Sequence, residues 1–196
     1  MRNVQLQQLD ILNSHHLQDI YDVIECSGVL HHMQDPARGL AALNSKLKPG
    51  AYIKIGLYSK LARQNISAAR ELIQTLGIQS TPEGIRDFRK QIFNDDQHEL
   101  KSISVLVNDF YSLSECRDLC FHVQEHQFTT ATLEKLLGAE NLVFCGFMLP
   151  KSIKTAYQNC FPEDRNGTSL SNWGEFEQDN QSTFQSMYQF WAYKPL

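Results

Sequence analysis

The stretch YDVIECSGVLHHMQDPARGLAALNSKLKPGAYIKIGLYS, residues 21–59, carries the clearest indication of the fold. Its two ends, YDVIEC and AYIKIGLYS, have the apolar, β-branched character of buried strands. Between them, Asp35 is placed to cap a helix that begins at Pro36, and Pro49 with Gly50 ends it. A strand, a helix and a second strand form the right-handed crossover unit of a parallel sheet. The stretch therefore predicts an α/β protein.

The flanking sequence predicts further elements of both kinds. VQLQQLDIL predicts a short strand over Val4–Leu9 that is closed by Asp10. The hydrophobic periodicity of residues 109–130 is mixed, so neither a helix nor a strand is predicted there. The other predictions are helices over 60–77, from residue 82, over 100–108 and over 132–138, strands over 141–149 and 187–196, and a surface loop over 162–172.

Composition narrows the class of protein. A net charge of -4 and a pI near 6.0 provide no positive field for nucleic acid. No apolar run approaches the roughly 20 residues of a membrane span, and the N-terminus lacks the apolar core of a signal peptide, which favours a cytoplasmic protein. The five cysteines form no CxxC pair, so neither a disulfide framework nor a metal site is expected.

The ordered segments DIL, YDVIECSGVLHHMQDP and LKPGAYIKIGLYS resemble the second half of a class I S-adenosylmethionine-dependent methyltransferase domain. DFYSLSECRDLCFHVQEHQFT and MYQFWAYKP resemble, more narrowly, the methyltransferase domain that occurs in bacteria behind tetratricopeptide repeats. The resemblance runs from Val4 to Pro195. It implies a three-layer, Rossmann-like fold whose mostly parallel sheet ends in an antiparallel strand. It also implies a single domain over residues 1–196, with a helical, substrate-side insertion over 60–141, and a tetratricopeptide-repeat region in full-length relatives.

The sequence departs from the family at its cofactor loop. Family members carry a glycine-rich loop after the first strand and a ribose-binding acid after the second, and neither motif occurs here. We therefore expect an N-terminally truncated domain without the first two strands, inactive or impaired on its own. The strand at Asp22–Cys26 would then lie at an edge of the sheet with an unpaired ladder.

The resemblance implies S-adenosylmethionine as cofactor and a set of residues around it. Asp10 would accept a hydrogen bond from the adenine amino group, with Ile11 beside the ring. The backbone of Cys26, Ser27 and Gly28 would face the methionine portion, His31 and His32 would line the cofactor or act as a base, and Tyr58 would point into the same crevice. Simpler interpretations stay open: Asp10 and Gly28 suit turns, and one histidine of the pair is expected to face the core or to cap the next helix.

A dense polar segment is the candidate binding region for the unidentified methyl acceptor. With Tyr58, the candidate residues are Tyr111, Ser112, Glu115, Arg117, His122, Glu125 and His126. The alternative is an ion-pair network in which Arg117 pairs with Glu115 and Asp118. Cys116 and Cys120 have helical spacing and are expected to be buried.

Two other functions compete with methyl transfer. HVQEH, residues 122–126, matches an inverted zinc-hydrolase signature, which requires both histidines on one continuous helix. The missing glycine loop is also compatible with a non-catalytic interaction module built on a decayed methyltransferase fold. The aromatic residues near the C-terminus are expected to form core rather than a binding surface.

Overall fold

The computed structural model describes residues 4–94, 100, 103, 108–122, 124–184 and 187–196, so the helix predicted over 100–108 lies largely outside the described residues. The strands in these residues are β1 (Tyr21–Ser27), β2 (Leu47–Tyr58), β3 (Val143–Phe147) and β4 (Met187–Tyr193). The helices are α1 (Pro36–Asn44), α2 (Gln64–Thr75), α3 (Pro82–Asn94), α4 (Leu113–Phe121), α5 (Thr130–Ala139), α6 (Lys151–Cys160) and α7 (Leu170–Asp179). None of these helices is long and apolar enough to cross a membrane.

The chain divides into two compact units. The sheet unit contains Met1–Ser59 and His126–Leu196, and the helical unit contains Lys60–Glu125. All four strands belong to the sheet unit. The helical region predicted over 60–141 overlaps the helical unit, while α5 lies in the sheet unit.

The sheet has the strand order β1-β2-β4-β3. β1 and β2 are parallel, and β4 runs antiparallel to both β2 and β3. This order confirms the expected α/β class, with a parallel crossover and an antiparallel last strand.

Local sequence explains the crossover. The Asp35 carboxylate accepts hydrogen bonds from the amides of Ala37 and Arg38 at 3.0 and 3.2 Å, and so caps α1 at its predicted start. Leu40 of α1 is fully buried, as is Ile53 of β2. The helix therefore covers one face of the parallel strand pair, and this apolar contact stabilises the unit.

The strand predicted at Val4–Leu9 does not form. Residues 4–10 have no regular secondary structure, and the Leu6 side chain is 94% exposed. A strand needs a hydrogen-bonded neighbour, and among the described residues β1 pairs only with β2. The prediction that β1 is an edge strand is confirmed, and Val23 on it is 56% exposed.

The C-terminal elements differ in part from the prediction. α6 was not expected, and α7 begins inside the stretch predicted as a loop, which the structure confines to residues 161–169. The aromatic residues there do form core, because Trp173 stacks on Tyr157 at 3.7 Å between ring centroids and Phe190 is fully buried.

The helical unit has its own apolar core. Ile66 and Ile73 of α2, Phe88 of α3 and Cys116 with Cys120 of α4 are buried together. The spacing of four between the two cysteines places both on the inner face of α4, as predicted, and both are free thiols.

Candidate functional site

The carboxyl ends of β1 and β2 form the candidate cofactor site. β1 ends at Ser27, and Gly28 follows with a φ of +77°, a backbone conformation that favours glycine. A Cβ atom placed on Gly28 would meet nothing within 4 Å, so the Ser27–Gly28 turn borders open space. On β2, a Cβ on Gly56 would lie 3.0 Å from the Cα of Ser27. Glycine at both positions therefore lets the two backbones approach closely and leaves the turn accessible.

Cys26 lies just before this turn and is a protonated thiol. Its side chain is buried, and burial raises its pKa to about 11, against a smaller lowering by the hydrogen bond from the Leu30 backbone. A thiol of that pKa is a poor nucleophile at neutral pH. Cys26 can therefore contribute backbone and packing rather than covalent chemistry.

The two adjacent histidines have different environments. His31 is fully buried, and its ring centroid lies 3.9 Å from that of Tyr58 and 4.3 Å from that of His32. Its carbonyl oxygen accepts a hydrogen bond from the amide of His126 at 2.8 Å. The expectation that one histidine faces the core is confirmed. His32 is only half-buried and is the more accessible imidazole, so the role of base, which stays a prediction, suits it better.

The carboxyl end of β2 is anchored by a buried carboxylate that sequence reasoning did not assign to the site. The Ser59 hydroxyl donates to Glu177 Oε1 at 2.6 Å, and the Tyr188 hydroxyl donates to Oε2 at 2.5 Å. Burial raises the pKa of Glu177 and outweighs these two hydrogen bonds, which lower it. Burial raises the pKa of Tyr188 as well. A separation of 118 residues between Ser59 and Glu177 leaves no local pattern from which the contact could be predicted.

Asp10 and Ile11 lie in a turn against α1. The Asp10 carboxylate accepts a hydrogen bond from the Leu12 amide at 2.9 Å and caps a 3-10 helix over Ile11–His16. The Ser14 hydroxyl donates to the Ala42 carbonyl of α1, and Ile11 packs against the core of the sheet unit. The turn interpretation of Asp10 therefore holds. The Asp10 side chain is exposed, and its hydrogen bond with the adenine amino group stays a prediction.

The candidate acceptor-binding residues are spread over both units. Tyr58 and His126 belong to the sheet unit, and the remaining candidates, Tyr111, Ser112, Glu115, Arg117, His122 and Glu125, belong to the helical unit. Ser112 caps α4 by accepting a hydrogen bond from the Glu115 amide at 3.4 Å. Glu115, Arg117 and Asp118 are all exposed on α4, and no ion pair joins them in the described part of the chain.

Glu125 is the centre of a buried ion cluster. Its side chain is 1% exposed and accepts from Arg63 at 3.2 and 2.6 Å and from Arg70 at 2.7 Å. The Arg63 side chain is 4% exposed and that of Arg70 20%. Sequence reasoning named Glu125 but neither arginine, because the partners lie 62 and 55 residues away.

The zinc-hydrolase interpretation is wrong. α4 ends at Phe121, so His122 and His126 do not share a continuous helix. The glutamate between them, Glu125, forms ion pairs with Arg63 and Arg70. No group of three or more histidine, cysteine or carboxylate side chains that could hold a metal ion occurs in the described part of the chain.

A cavity in the sheet unit lies away from the strand ends. It has a volume of about 660 Å³. Its lining includes Val23, Tyr52 and Trp191 from the strands, together with Tyr157 of α6 and Trp173 of α7. Val23, Tyr52 and Trp191 lie on the face of the sheet opposite to the core residues of β2, whereas Tyr157 and Trp173 belong to the core of the sheet unit. The residues that line this groove do not include Ser27, Gly28 or Tyr58 of the candidate cofactor site.

Comparison with known proteins agrees with this geometry. Residues 2–103 match the family Methyltransf_23, described as a methyltransferase domain. The chain belongs to this methyltransferase family. The methyltransferase chain is 35% identical over 158 residues to uncharacterized protein syc1184_c of Synechococcus sp. (strain ATCC 27144 / PCC 6301 / SAUG 1402/1), which covers 74% of this chain and 36% of that protein.

Solved structures share the fold of the methyltransferase chain. The structure of PKMT2 from Rickettsia typhi matches 97% of this chain with a TM-score of 0.70 and 14% identity, and 38% of that protein is covered. PKMT2 in complex with AdoHcy matches with a TM-score of 0.61. The chain thus spans less than two fifths of the length of these relatives. The recognition of a class I methyltransferase fold, and S-adenosylmethionine as the cofactor that goes with it, are confirmed at the level of the family.

Proposed function

We propose that this chain binds S-adenosylmethionine at the carboxyl ends of β1 and β2 and takes part in methyl transfer to an acceptor. The observation that carries the proposal is the family match over residues 2–103, because it contains both strands and the open turn at Gly28. Ligands of parallel α/β sheets bind in the crevice beyond the carboxyl ends of the strands.

The residues present suit part of the cofactor. The open turn at Ser27–Gly28 offers backbone to it, and the capped turn at Asp10 offers an exposed carboxylate. The cofactor supplies an activated methyl group on a sulfonium. The chain's own residues would position it, exclude water and, at His32, accept a proton from the acceptor. The sequence has no glycine-rich loop, and β1 leaves its outer edge exposed. We therefore propose that the chain on its own is an impaired catalyst.

The test is calorimetric titration of the folded chain with S-adenosylhomocysteine, followed by methyl transfer from labelled S-adenosylmethionine. We expect weak binding that Gly28→Val abolishes, since the new side chain would enter the open turn and strain a positive φ. Gly77→Val is the matched control, because Gly77 has a φ of +63° and equally open surroundings but lies in the helical unit. Equal binding by wild type and Gly28→Val would contradict the assignment of the site.

A non-catalytic interaction module is the second candidate function. It is favoured by apolar exposure around the sheet, where Val23 is 56%, Tyr52 46% and Met148 45% exposed beside the groove of about 660 Å³. A folded chain that ignores S-adenosylhomocysteine at millimolar concentration would favour this second function. Binding that responds to the Gly28 substitution would reject it.

A further inference from the structure

The groove of the sheet unit has no part in the proposed cofactor site, and its lining fits a small-molecule site. Its volume is about 660 Å³, and its walls come from all four strands, from α6 and α7 and from the loop over 161–169. Sites for small molecules have volumes of roughly 300–1,000 Å³ and a mostly apolar lining with a few polar groups. The groove meets both conditions, because its floor is apolar and its polar groups are gathered at one end.

The floor of the groove runs across the sheet. Val23 of β1 pairs in register with Tyr52 of β2, and Trp191 of β4 pairs with Gly146 of β3. All four residues line the groove. Neighbouring strands lie about 4.8 Å apart, so four strands extend this floor over roughly 14 Å. The floor therefore suits an elongated apolar body better than a compact one.

The polar lining lies at the β3 end of this floor. Three residues separate β3 from α6 along the chain. The loop over 161–169 lies against β3, since a Cβ atom on Gly146 would be 3.8 Å from the Gly167 carbonyl oxygen. α6 contributes Lys154 to the lining, and the loop contributes Asn166. A ligand that lies along the floor would therefore present one end to these two side chains.

Lys154 gives this end of the groove a positive charge. It is the one lining residue with a formal charge among the residues that the structure describes, and no carboxylate in that part of the chain pairs with it. On the same face of the sheet, Glu25 and Lys54 pair with each other at 2.6 Å and so contribute little net charge. The Lys154 ammonium and the Asn166 amide are hydrogen-bond donors that match carboxylate oxygens. The charge of the groove is therefore complementary to an anion.

The loop that carries Asn166 is ordered by its own hydrogen bonds. The Asp164 carboxylate accepts from the Tyr157 hydroxyl at 2.6 Å. It also accepts from the backbone amides of Thr168 and Ser169 at 3.0 and 2.9 Å. The negative charge of Asp164 is thus used inside the loop, and Asp164 does not line the groove. A wall that is already ordered lowers the entropic cost of binding a ligand.

We propose that this groove binds a small apolar carboxylate, with the carboxylate group on Lys154 and the apolar body along the strands. Tyr52 and Trp191 in the floor can pack against an aliphatic chain or an aromatic ring, so the shared chemistry is a carboxylate at the end of an elongated apolar body. This inference does not depend on the proposed function, because the groove lining contains no residue of the candidate cofactor site.

The test titrates the complete folded chain with sodium octanoate and follows tryptophan fluorescence. Both tryptophans of the chain, Trp173 and Trp191, line the groove, so a ligand there should change their emission in a saturable way. Octan-1-ol has the same apolar body without the charge and should bind about fivefold more weakly, the contribution of one exposed ion pair. Hexanoate lacks two methylene groups and should bind about tenfold more weakly than octanoate. 4-Phenylbutyrate is titrated in parallel, and its affinity relative to octanoate distinguishes an aromatic from an aliphatic ligand.

Two lysines of α6 provide the matched pair of variants. Lys154→Gln should remove the preference for octanoate over octan-1-ol and leave the binding of octan-1-ol unchanged. The Lys154 side chain is exposed, so this variant should fold. Lys151→Gln is the control and should keep the preference, since Lys151 is an exposed lysine of the same helix that lies outside the lining.

Two cysteines locate the bound ligand. Cys145 is half-buried in the lining, whereas Cys160 is exposed and lies outside it. Octanoate should slow the alkylation of Cys145 by iodoacetamide and leave the rate at Cys160 unchanged, as measured by mass spectrometry of the peptides. A fluorescence change without protection of Cys145 would place the ligand elsewhere and overturn the inference.

Three further results would also overturn it. The first is the absence of a saturable fluorescence change with octanoate in the folded wild-type chain. The second is equal binding of octanoate and octan-1-ol, or an equal loss in the Lys154→Gln and Lys151→Gln variants, because Lys154 would then not recognise the charge. The third is the same fluorescence change on raising the protein concentration without ligand, which would mean that a second copy of the chain covers the groove.

Discussion

Replacing Glu125 by glutamine should unfold the helical unit selectively. The substitution removes the carboxylate that pairs with Arg63 and Arg70 but keeps the shape of the side chain. Three hydrogen bonds of 2.6 to 3.2 Å lose their charged acceptor, and both guanidiniums lose this carboxylate at side-chain exposures of only 4% and 20%. Removing one partner of a buried ion pair costs about 3–5 kcal/mol, because the remaining charge is neither solvated nor paired. The free energy of unfolding of a domain of this size is roughly 3–10 kcal/mol, so this loss would remove most of the stability of the helical unit.

Amide hydrogen exchange measured by mass spectrometry separates the two units. In Glu125→Gln we expect the amides of α2 and α4 to exchange roughly two to four orders of magnitude faster, since exchange from an opened unit follows its free energy of opening. The amides of β2 and β4, in the sheet unit, should keep their wild-type rates.

Glu115→Gln provides the matched control. Glu115 is an exposed glutamate on α4, and its substitution removes the same charge from the same unit without touching the cluster. Exchange in α2 that is as slow in Glu125→Gln as in Glu115→Gln would refute the reasoning. It would mean that the two arginines do not depend on this carboxylate.

Three further predictions concern the sheet unit, which contains both tryptophans and can therefore be followed by their fluorescence during urea unfolding. The folded state holds the proton of Glu177 more tightly than the unfolded state, so its stability should fall by up to about 1.4 kcal/mol per pH unit as pH rises from 4.5 through the raised pKa. Glu177→Gln should remove that slope and Glu175→Gln, on the exposed side of α7, should keep it. Asp35→Ala should cost about 1 kcal/mol through loss of the α1 cap, and an unchanged urea midpoint would contradict the capping role. Gly56→Ala should cost about 1–3 kcal/mol by forcing β1 and β2 apart, whereas Gly138→Ala, in open helical surroundings, should be neutral or stabilising.

Local signals predicted the elements that depend on local physics. The cap at Asp35 and the inward cysteines of α4 follow from spacings shorter than one helix, and the crossover from β1 to β2 follows from three consecutive elements that each have a clear local pattern. α7 was missed because its first residues belong to the polar stretch predicted as a loop, and Gly174 in its middle is a poor helix former. The structure explains that glycine, since a Cβ there would collide with the Thr130 hydroxyl of α5. The cost of the glycine is offset by a tertiary contact that no local pattern contains.

The same division applies to the candidate site. Gly28 and the adjacent histidines follow a strand directly and were predictable from their position. The contacts of Ser59 with Glu177 and of Arg63 and Arg70 with Glu125 join residues that are 55 or more positions apart. The strand predicted at Val4–Leu9 failed for a related reason. The alternation of apolar residues indicates that one face of the segment could be buried. A strand also needs a neighbouring strand for its backbone hydrogen bonds, and none of the described residues pairs with this segment.

The position of the Ser27–Gly28 turn therefore depends on one ladder. β2 is held on both sides, by β1 and by β4, and its carboxyl end is further fixed through Ser59 to Glu177. β1 is held by β2 alone among the described residues, and the register of that pairing shifts between Tyr21 and Val23. The Ser27–Gly28 turn, at which we propose that the cofactor binds, thus projects from the less constrained of the two strands. A ligand that binds there must bear part of the cost of ordering it, which is the physical reason for expecting weak cofactor binding by this chain even where every contacting residue is present.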